Sequence, residues 1–93
     1  MNHLNIDIET YSSVDIKTSG AYKYAASSDF EILLFAYSLN NDPVKIVDLA
    51  RGEKIPKIIL LLLNDPNCVK HAYNAAFEWW CLNQAGYETD IKQ

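Results

Sequence analysis

Leu4-Asn5-Ile6-Asp7-Ile8-Glu9-Thr10 is the stretch that decides how this chain is read. Apolar and polar residues alternate strictly from Leu4 to Glu9, the pattern of a strand with one buried face. Leu4, Ile6 and Ile8 point one way, and Asn5, Asp7 and Glu9 point the other. One short strand therefore offers a core face and an acidic face.

Working outward, Thr18-Ser19-Gly20 reads as a turn and Ala21 to Ala26 as a short helix, with Ser27-Ser28-Asp29 breaking the chain again. Glu31 to Leu39, rich in Ile, Leu, Phe and Tyr, reads as a central strand. Asn40-Asn41-Asp42-Pro43 is a strong turn signal, so Val44 to Leu49 forms a third strand in a hairpin with the second. Pro56 suits the first turn of a helix. Ile58 to Leu63 continues that helix, apolar all round and so expected to be well buried. Asn64-Asp65-Pro66 stops it. Cys68 to Tyr73 reads as a fourth strand. Ala75 to Ala85 reads as a second main helix, with Gly86 where a C-terminal cap belongs. The expected fold class is α/β with a mixed sheet in the order β-β-β-α-β-α, and residues 1–93 read as one unit without repeats or linkers.

Composition limits what such a unit does. Hydrophobic residues make up 49% of the 93, an ordinary globular content that excludes a disordered or collagen-like chain. Twelve acidic residues against eight basic ones leave a net charge of −4. That balance excludes binding nucleic acid through a basic coat, and leaves open carboxylates that hold metal ions against a phosphate. Cys68 and Cys81 make neither a disulfide framework nor a zinc site. The Ile58–Leu63 run is far too short to span a bilayer, no signal-peptide pattern is present, and a cytoplasmic protein with no membrane partner is expected. A chain this short buries a modest share of its surface, so its stability is expected to be marginal or to need a partner.

Two short motifs carry chemistry. Asp7 and Glu9 lie two apart on one strand, so their carboxylates share a side near the strand's C-terminal end, where open α/β sheets place ligands. Alone, such a pair is an ordinary solvated face. Asn74-Ala75-Ala76-Phe77-Glu78 places Asn74 and Glu78 one helical turn apart. Alone, it is a helix start, with Asn74 as N-cap and Glu78 complementing the helix dipole. In the expected order the first strand lies near the middle of the sheet with the fourth beside it. The helix that follows the fourth strand then carries Glu78 toward Asp7 and Glu9. Three converging carboxylates are costly unless they hold metal.

On these residues the chain resembles the N-terminal 3′–5′ exonuclease domain of phage-type family A DNA polymerases. These are DEDD, DnaQ-like members of the ribonuclease H-like superfamily. Asp7-Ile8-Glu9-Thr10 looks like the family's first motif, D-x-E-T, and Asn74 to Glu78 like its second, N-x-x-F-D. Ser19 to Ala25 and Asp29 to Tyr37 are similar to the phage branch as well. The resemblance covers essentially the whole chain. It implies a ribonuclease H-like mixed sheet, truncated, and proofreading by two-metal hydrolysis of a DNA 3′ end with Mg²⁺ or Mn²⁺. Asp7, Glu9 and Glu78 are then the catalytic and metal-holding residues, and Thr10, Asn74 and Phe77 bind the terminal nucleotide. A single-stranded DNA 3′ end is the implied partner, in the cytoplasm of a bacterial host.

Two departures matter. Glu78 stands where the wider family has Asp. The family's third motif, Tyr- or His-x-x-x-Asp, is not found in these 93 residues, since Tyr87 and Asp90 are three apart. With it go the general base, which contributes about 10²–10⁴-fold in rate, and a fourth carboxylate. The expectation is low or no activity for the chain alone. It would be a truncated or interrupted product, complemented by the remainder of a polymerase or by a homodimer. The contrasting reading is an inactive fragment that binds metal or single-stranded DNA. His3, His71 and Cys81 are expected to be structural or surface residues. Adjacent on a helix, Trp79 and Trp80 point roughly 100° apart. At most one of them faces a given groove, and core packing is expected for at least one.

Overall fold

The computed structural model describes residues 1–91. It contains β1 (Asn2–Tyr11), α1 (Ile16–Ala26), β2 (Glu31–Leu39), β3 (Lys45–Asp48), a 3-10 turn (Leu49–Arg51), α2 (Lys57–Leu63), β4 (Cys68–Ala72) and α3 (Ala75–Gln84). The four strands form one mixed sheet in the order β3-β2-β1-β4. The first strand lies inside the sheet with the fourth beside it, as the sequence implies.

β1 runs antiparallel to β2, with Leu4 opposite Leu39 and Glu9 opposite Leu34, and parallel to β4, with Asn2 opposite Cys68 and Ile6 opposite Ala72. β2 pairs antiparallel with β3 from Leu34–Asp48 to Tyr37–Lys45. A parallel neighbour cannot be reached by a tight turn. The chain gets from β3 to β4 through α2. The β2–β3 connection turns at Asn40, whose φ of +52° falls in the left-handed region that Asn tolerates. The Asn40 amide donates to the His3 carbonyl (2.7 Å), and the Ser38 hydroxyl donates to the Asp42 carbonyl (2.6 Å).

Leu4, Ile6 and Ile8 are buried, as the alternation requires. They belong to one core with Ile32, Phe35, Tyr37 and Val47 of the sheet, Ala25 of α1, Ile59, Leu62 and Leu63 of α2, and Cys81 and Leu82 of α3. All three helices thus contribute to the core on the same side of β1. The opposite side of β1 carries exposed Asn5, Asp7 and Glu9. Across the strands it continues into Ala36 and Ile46, the register partners of Asp7 and Ala36. The segment after α3 is tied down. Gly86, at φ +91°, reverses the chain. The Thr89 hydroxyl donates to the Leu63 carbonyl (2.8 Å), and Ile91 is buried. The Lys70 ammonium donates to the carbonyls of Asp65 (2.6 Å) and Cys68 (2.8 Å) and pairs with Asp90.

The structure corrects the expected order at one place. α1 starts at Ile16 and separates β1 from β2, so the chain runs β-α-β-β-α-β-α. The Asp15 side chain accepts from the Lys17 amide (2.9 Å) and caps this helix. Gly20 interrupts it with φ +83° and ψ 169°, so the expected turn survives as a break inside a longer element. A second correction concerns α2. Ile59, Leu62 and Leu63 are buried, but Ile58 and Leu61 are 58% and 60% exposed. A seven-residue helix lying on a sheet can cover only one stripe of itself. Smaller differences follow from pairing. β1 outlasts its alternation because Tyr11 still pairs with Glu31. β3 stops at Asp48, whose carboxylate accepts from the Arg51 amide (3.2 Å) and bends the chain into the 3-10 turn. β4 stops at Ala72.

Truncating the core and trimming the bare face should differ sharply. Leu82→Ala is expected to destabilise by about 2–5 kcal/mol, and Ile46→Thr to stay within about 0.5 kcal/mol of the parent. Equilibrium urea unfolding of both variants checks this.

Candidate active site

Asp7 and Glu9 project from β1 on the side away from the core, and both are exposed. Immediately after Glu9 the β1–β2 register slips. Glu9 faces Leu34 but Thr10 faces Ile32, leaving Leu33 as the extra residue of a bulge. A bulge bends and twists the strand locally, and here it re-aims the strand end that carries Thr10. The Thr10 hydroxyl lies 2.9 Å from the Tyr24 hydroxyl of α1. The Tyr24 ring in turn packs against Phe77 of α3 at a centroid distance of 5.9 Å, and against Phe30 at 6.0 Å. Thr10 and Phe77, far apart in sequence, are thus joined through one tyrosine.

α3 begins directly after β4. Its N-cap is Asn74, whose side-chain oxygen accepts from the Phe77 amide (3.2 Å). The cap sets the first turn of the helix, and the Glu78 amide donates to the Asn74 carbonyl (3.0 Å). Glu78 then falls on the stripe of α3 that also carries Cys81 and Leu82. It is only 3% exposed, and its Oε2 atom has no hydrogen-bond partner among the described residues. A buried carboxylate without a partner is disfavoured as an anion. Burial, and secondarily the negative charge of Asp7, push the Glu78 pKa up from 4.5 to about 7. The Cys81 thiol beside it is pushed up to about 12, by burial and then by Glu78. This agrees with its reading as a small core residue rather than a nucleophile.

The structure therefore brings Asp7 and Glu78 within electrostatic reach of each other, because β4 ends beside Ile6 and α3 starts shortly after it. Glu9 lies two residues along the same face and exerts no comparable influence on Glu78. Among the described residues no three His, Cys, Asp or Glu side chains are grouped to share one ion. The convergence of three carboxylates is thus realised as a pair with a neighbour. The donor chemistry suits a hard divalent cation, since both groups of the pair are carboxylates. The unpartnered oxygen of Glu78 is the atom that such an ion would satisfy. Asp90 is occupied elsewhere, in the ion pair with Lys70.

Two arrangements escaped the sequence reading. Tyr24 ties Thr10 to Phe77, and no local pattern marks it. His3 Nδ1 lies 2.9 Å from His71 Nε2, with the rings stacked at 5.2 Å, because parallel pairing sets β1 beside β4. A cavity of about 650 Å³ opens between the end of α1, the 3-10 turn and the end of α3, and touches none of the candidate residues. No helix among the described residues is long and apolar enough to cross a membrane.

What the geometry defines is a mixed α/β unit with acids at the end of a central strand. Comparison with known proteins sharpens the class. The chain is similar to the DNA polymerase of Bacillus phage SP02, at 52% identity over 82 residues, which make up 88% of this chain and 13% of that polymerase. It spans about an eighth of the length of the curated relative it matches. No protein-family model matches the chain, and no solved structure does.

Glu78 gives the fold a pH dependence with a definite sign. Its folded pKa lies above the unfolded value, so the folded state binds more protons between about 4.5 and about 7. Its effect on stability is therefore harmless below pH 4.5 and increasingly unfavourable as pH rises through about 7. Glu78→Gln keeps the size and removes the charge. Thermal melting at pH 5 and pH 8, without divalent metal, should show Glu78→Gln gaining on the parent at pH 8 and losing that advantage at pH 5.

Proposed function

We propose that this chain is the N-terminal part of a 3′–5′ exonuclease domain that belongs to a phage-type DNA polymerase. The observation that carries the reading is the approach of Asp7 to the buried, unpartnered Glu78, each in the motif that the exonuclease family uses for metal, within a segment similar to a phage DNA polymerase.

In this reading Asp7, Glu9 and Glu78 hold divalent metal at the 3′ end of a single DNA strand. When bound, two Mg²⁺ or Mn²⁺ ions supply an activated water and stabilisation of the leaving 3′ oxygen. The chain's own residues do the rest. The charge of Asp7 is felt at Glu78, and their mutual repulsion is what a cation relieves. Glu9 is the further carboxylate beside the strand end. Thr10 is oriented by Tyr24, and Asn74 has its oxygen committed to the cap, which leaves its NH₂ to donate to the terminal nucleotide. Phe77, packed on Tyr24, backs that pocket.

A second reading is favoured by one observation: the described residues assemble no third ligand beside Asp7 and Glu78. On that reading the chain alone is an inactive fragment that binds metal or single-stranded DNA, or that complements the rest of a split polymerase or a second copy of itself.

A 5′-labelled single-stranded oligonucleotide with Mn²⁺ separates the two. A 3′-to-5′ ladder made by the parent chain and lost in Asp7→Ala establishes nuclease activity. No ladder from either, with melting raised by Mn²⁺ in the parent and unchanged in Asp7→Ala, establishes a metal-binding fragment. A ladder that is equal in both, or a melting shift that Asp7→Ala preserves, removes the carboxylate site altogether.

A further inference from the structure

The seam between α1 and α3 carries aromatic rings that the carboxylate site does not use. The rings of Tyr22 and Trp80 meet edge to face at 4.7 Å, and Trp80 meets Trp79 edge to face at 4.9 Å. Tyr22 is 60% exposed, and both tryptophans are half-buried. Trp80 packs against the core, as expected for at least one of the two tryptophans, whereas Tyr22 and Trp79 do not, and none of the three rings is closed off from solvent. Its place is informative. Trp80 lies three residues after Phe77 and so on the same face of α3. Phe77 touches Tyr24, and Tyr24 reaches Thr10 beside the acids. The rings thus lead from the candidate site outward across two helices.

Charge points the same way. The chain is acidic overall, yet α1 carries Lys17 and Lys23, both exposed, and no acid between Ile16 and Ala26. The acids that flank it in sequence, Asp15 and Asp29, keep their charge and are held by local hydrogen bonds. Asp15 accepts from the Lys17 amide, and Asp29 accepts from the Ser13 amide and the Ser27 hydroxyl. Rings open to solvent, on elements that also carry lysines, are how proteins hold single-stranded nucleic acid. Bases stack on the rings while cations meet the phosphates.

We propose that Tyr22, Trp80 and Trp79 form a stacking platform for the bases of single-stranded DNA, with Lys17 and Lys23 facing its phosphates, upstream of a 3′ end directed at Asp7 and Glu78. The proposal deepens the exonuclease reading and rests on it for the direction of the strand. The platform itself works without metal or cleavage.

Binding of a fluorescein-labelled oligo(dT) to the whole chain in EDTA, followed by anisotropy, tests it. Tyr22→Ala, at an exposed position, is expected to weaken binding by about fivefold to a hundredfold, the span for loss of one stacked base. Trp80→Phe should weaken it less, since a smaller ring remains. Lys17→Ala with Lys23→Ala should flatten the dependence of affinity on salt. Tryptophan fluorescence of the parent, which reports only Trp79 and Trp80, should be quenched as oligo(dT) binds. Ile46→Thr, on the bare sheet face, is the control and should bind as the parent does. Melting curves confirm that each variant is folded. The platform is overturned if the parent does not bind, if folded Tyr22→Ala binds like the parent, or if duplex DNA binds as well as the single strand. The two ideas fail separately. Binding lost in Tyr22→Ala with no Mn²⁺-dependent ladder from the parent refutes cleavage and keeps the platform. A ladder made equally by the parent and Tyr22→Ala, with equal binding, does the reverse.

Discussion

Successive side chains of a strand must point to opposite faces, and in β1 that rule separates three aliphatic residues from three polar ones within six positions. Leu4, Ile6 and Ile8 have to be covered, and among the described residues there are only three helices to cover them. All three contribute to the core on that side. The acids on the other side are consequently left in water, and only beyond the end of β4, beside Asp7, does a helix come round to meet them. The position of Glu78 follows from this. β4 pairs parallel with β1 and its last residue, Ala72, lies beside Ile6, so the chain leaves β4 next to Asp7 and α3 starts there. The Asn74 cap fixes the first turn, and the turn fixes where Glu78 falls.

The approach of Asp7 and Glu78 is unfavourable by itself. A carboxylate withdrawn from water beside another carboxylate weakens the fold at neutral pH. Natural sequences retain such pairs where something bound to them repays the strain. The surroundings of the pair are better satisfied than the pair itself. Thr10, Tyr24 and Phe77 hold one another, Asn74 satisfies its own helix, and Lys70 with Asp90 anchors the segment behind α3.

Much of this was legible in the residues. The strict alternation of Leu4 to Glu9, the Asn-Asn-Asp-Pro turn and the Asn74-to-Gly86 helix each carry a local physical signal, and each element stands where it was expected. Legibility failed where the deciding term was not local. α1 was half seen, because Gly20 breaks the helical pattern while Asp15 starts the helix five residues earlier. α2 was expected to be buried all round, because an apolar run states what can be covered but not how much cover is at hand. Ile58 and Leu61 stayed outside. The pairs Thr10–Tyr24 and His3–His71 arise from strand order and register, which no short window contains. Of the candidate site, the approach of the second main helix to Asp7 was readable. The inclusion of Tyr24 and the distinct position of Glu9 were not.

The parallel pairing of β1 and β4 also sets a timetable. Asn2 meets Cys68, so the first strand waits some 66 residues for its second neighbour. Closing so long a loop carries an entropy cost that nearby contacts do not offset early, and chains dominated by distant pairings fold slowly. During synthesis β1 can pair only with β2, and its other edge stays open until about residue 72 has emerged. The strand that bears both acids of the first motif is therefore the last in the sheet to be enclosed. Chaperone capture, misfolding or pairing with a foreign strand would act first on that exposed edge.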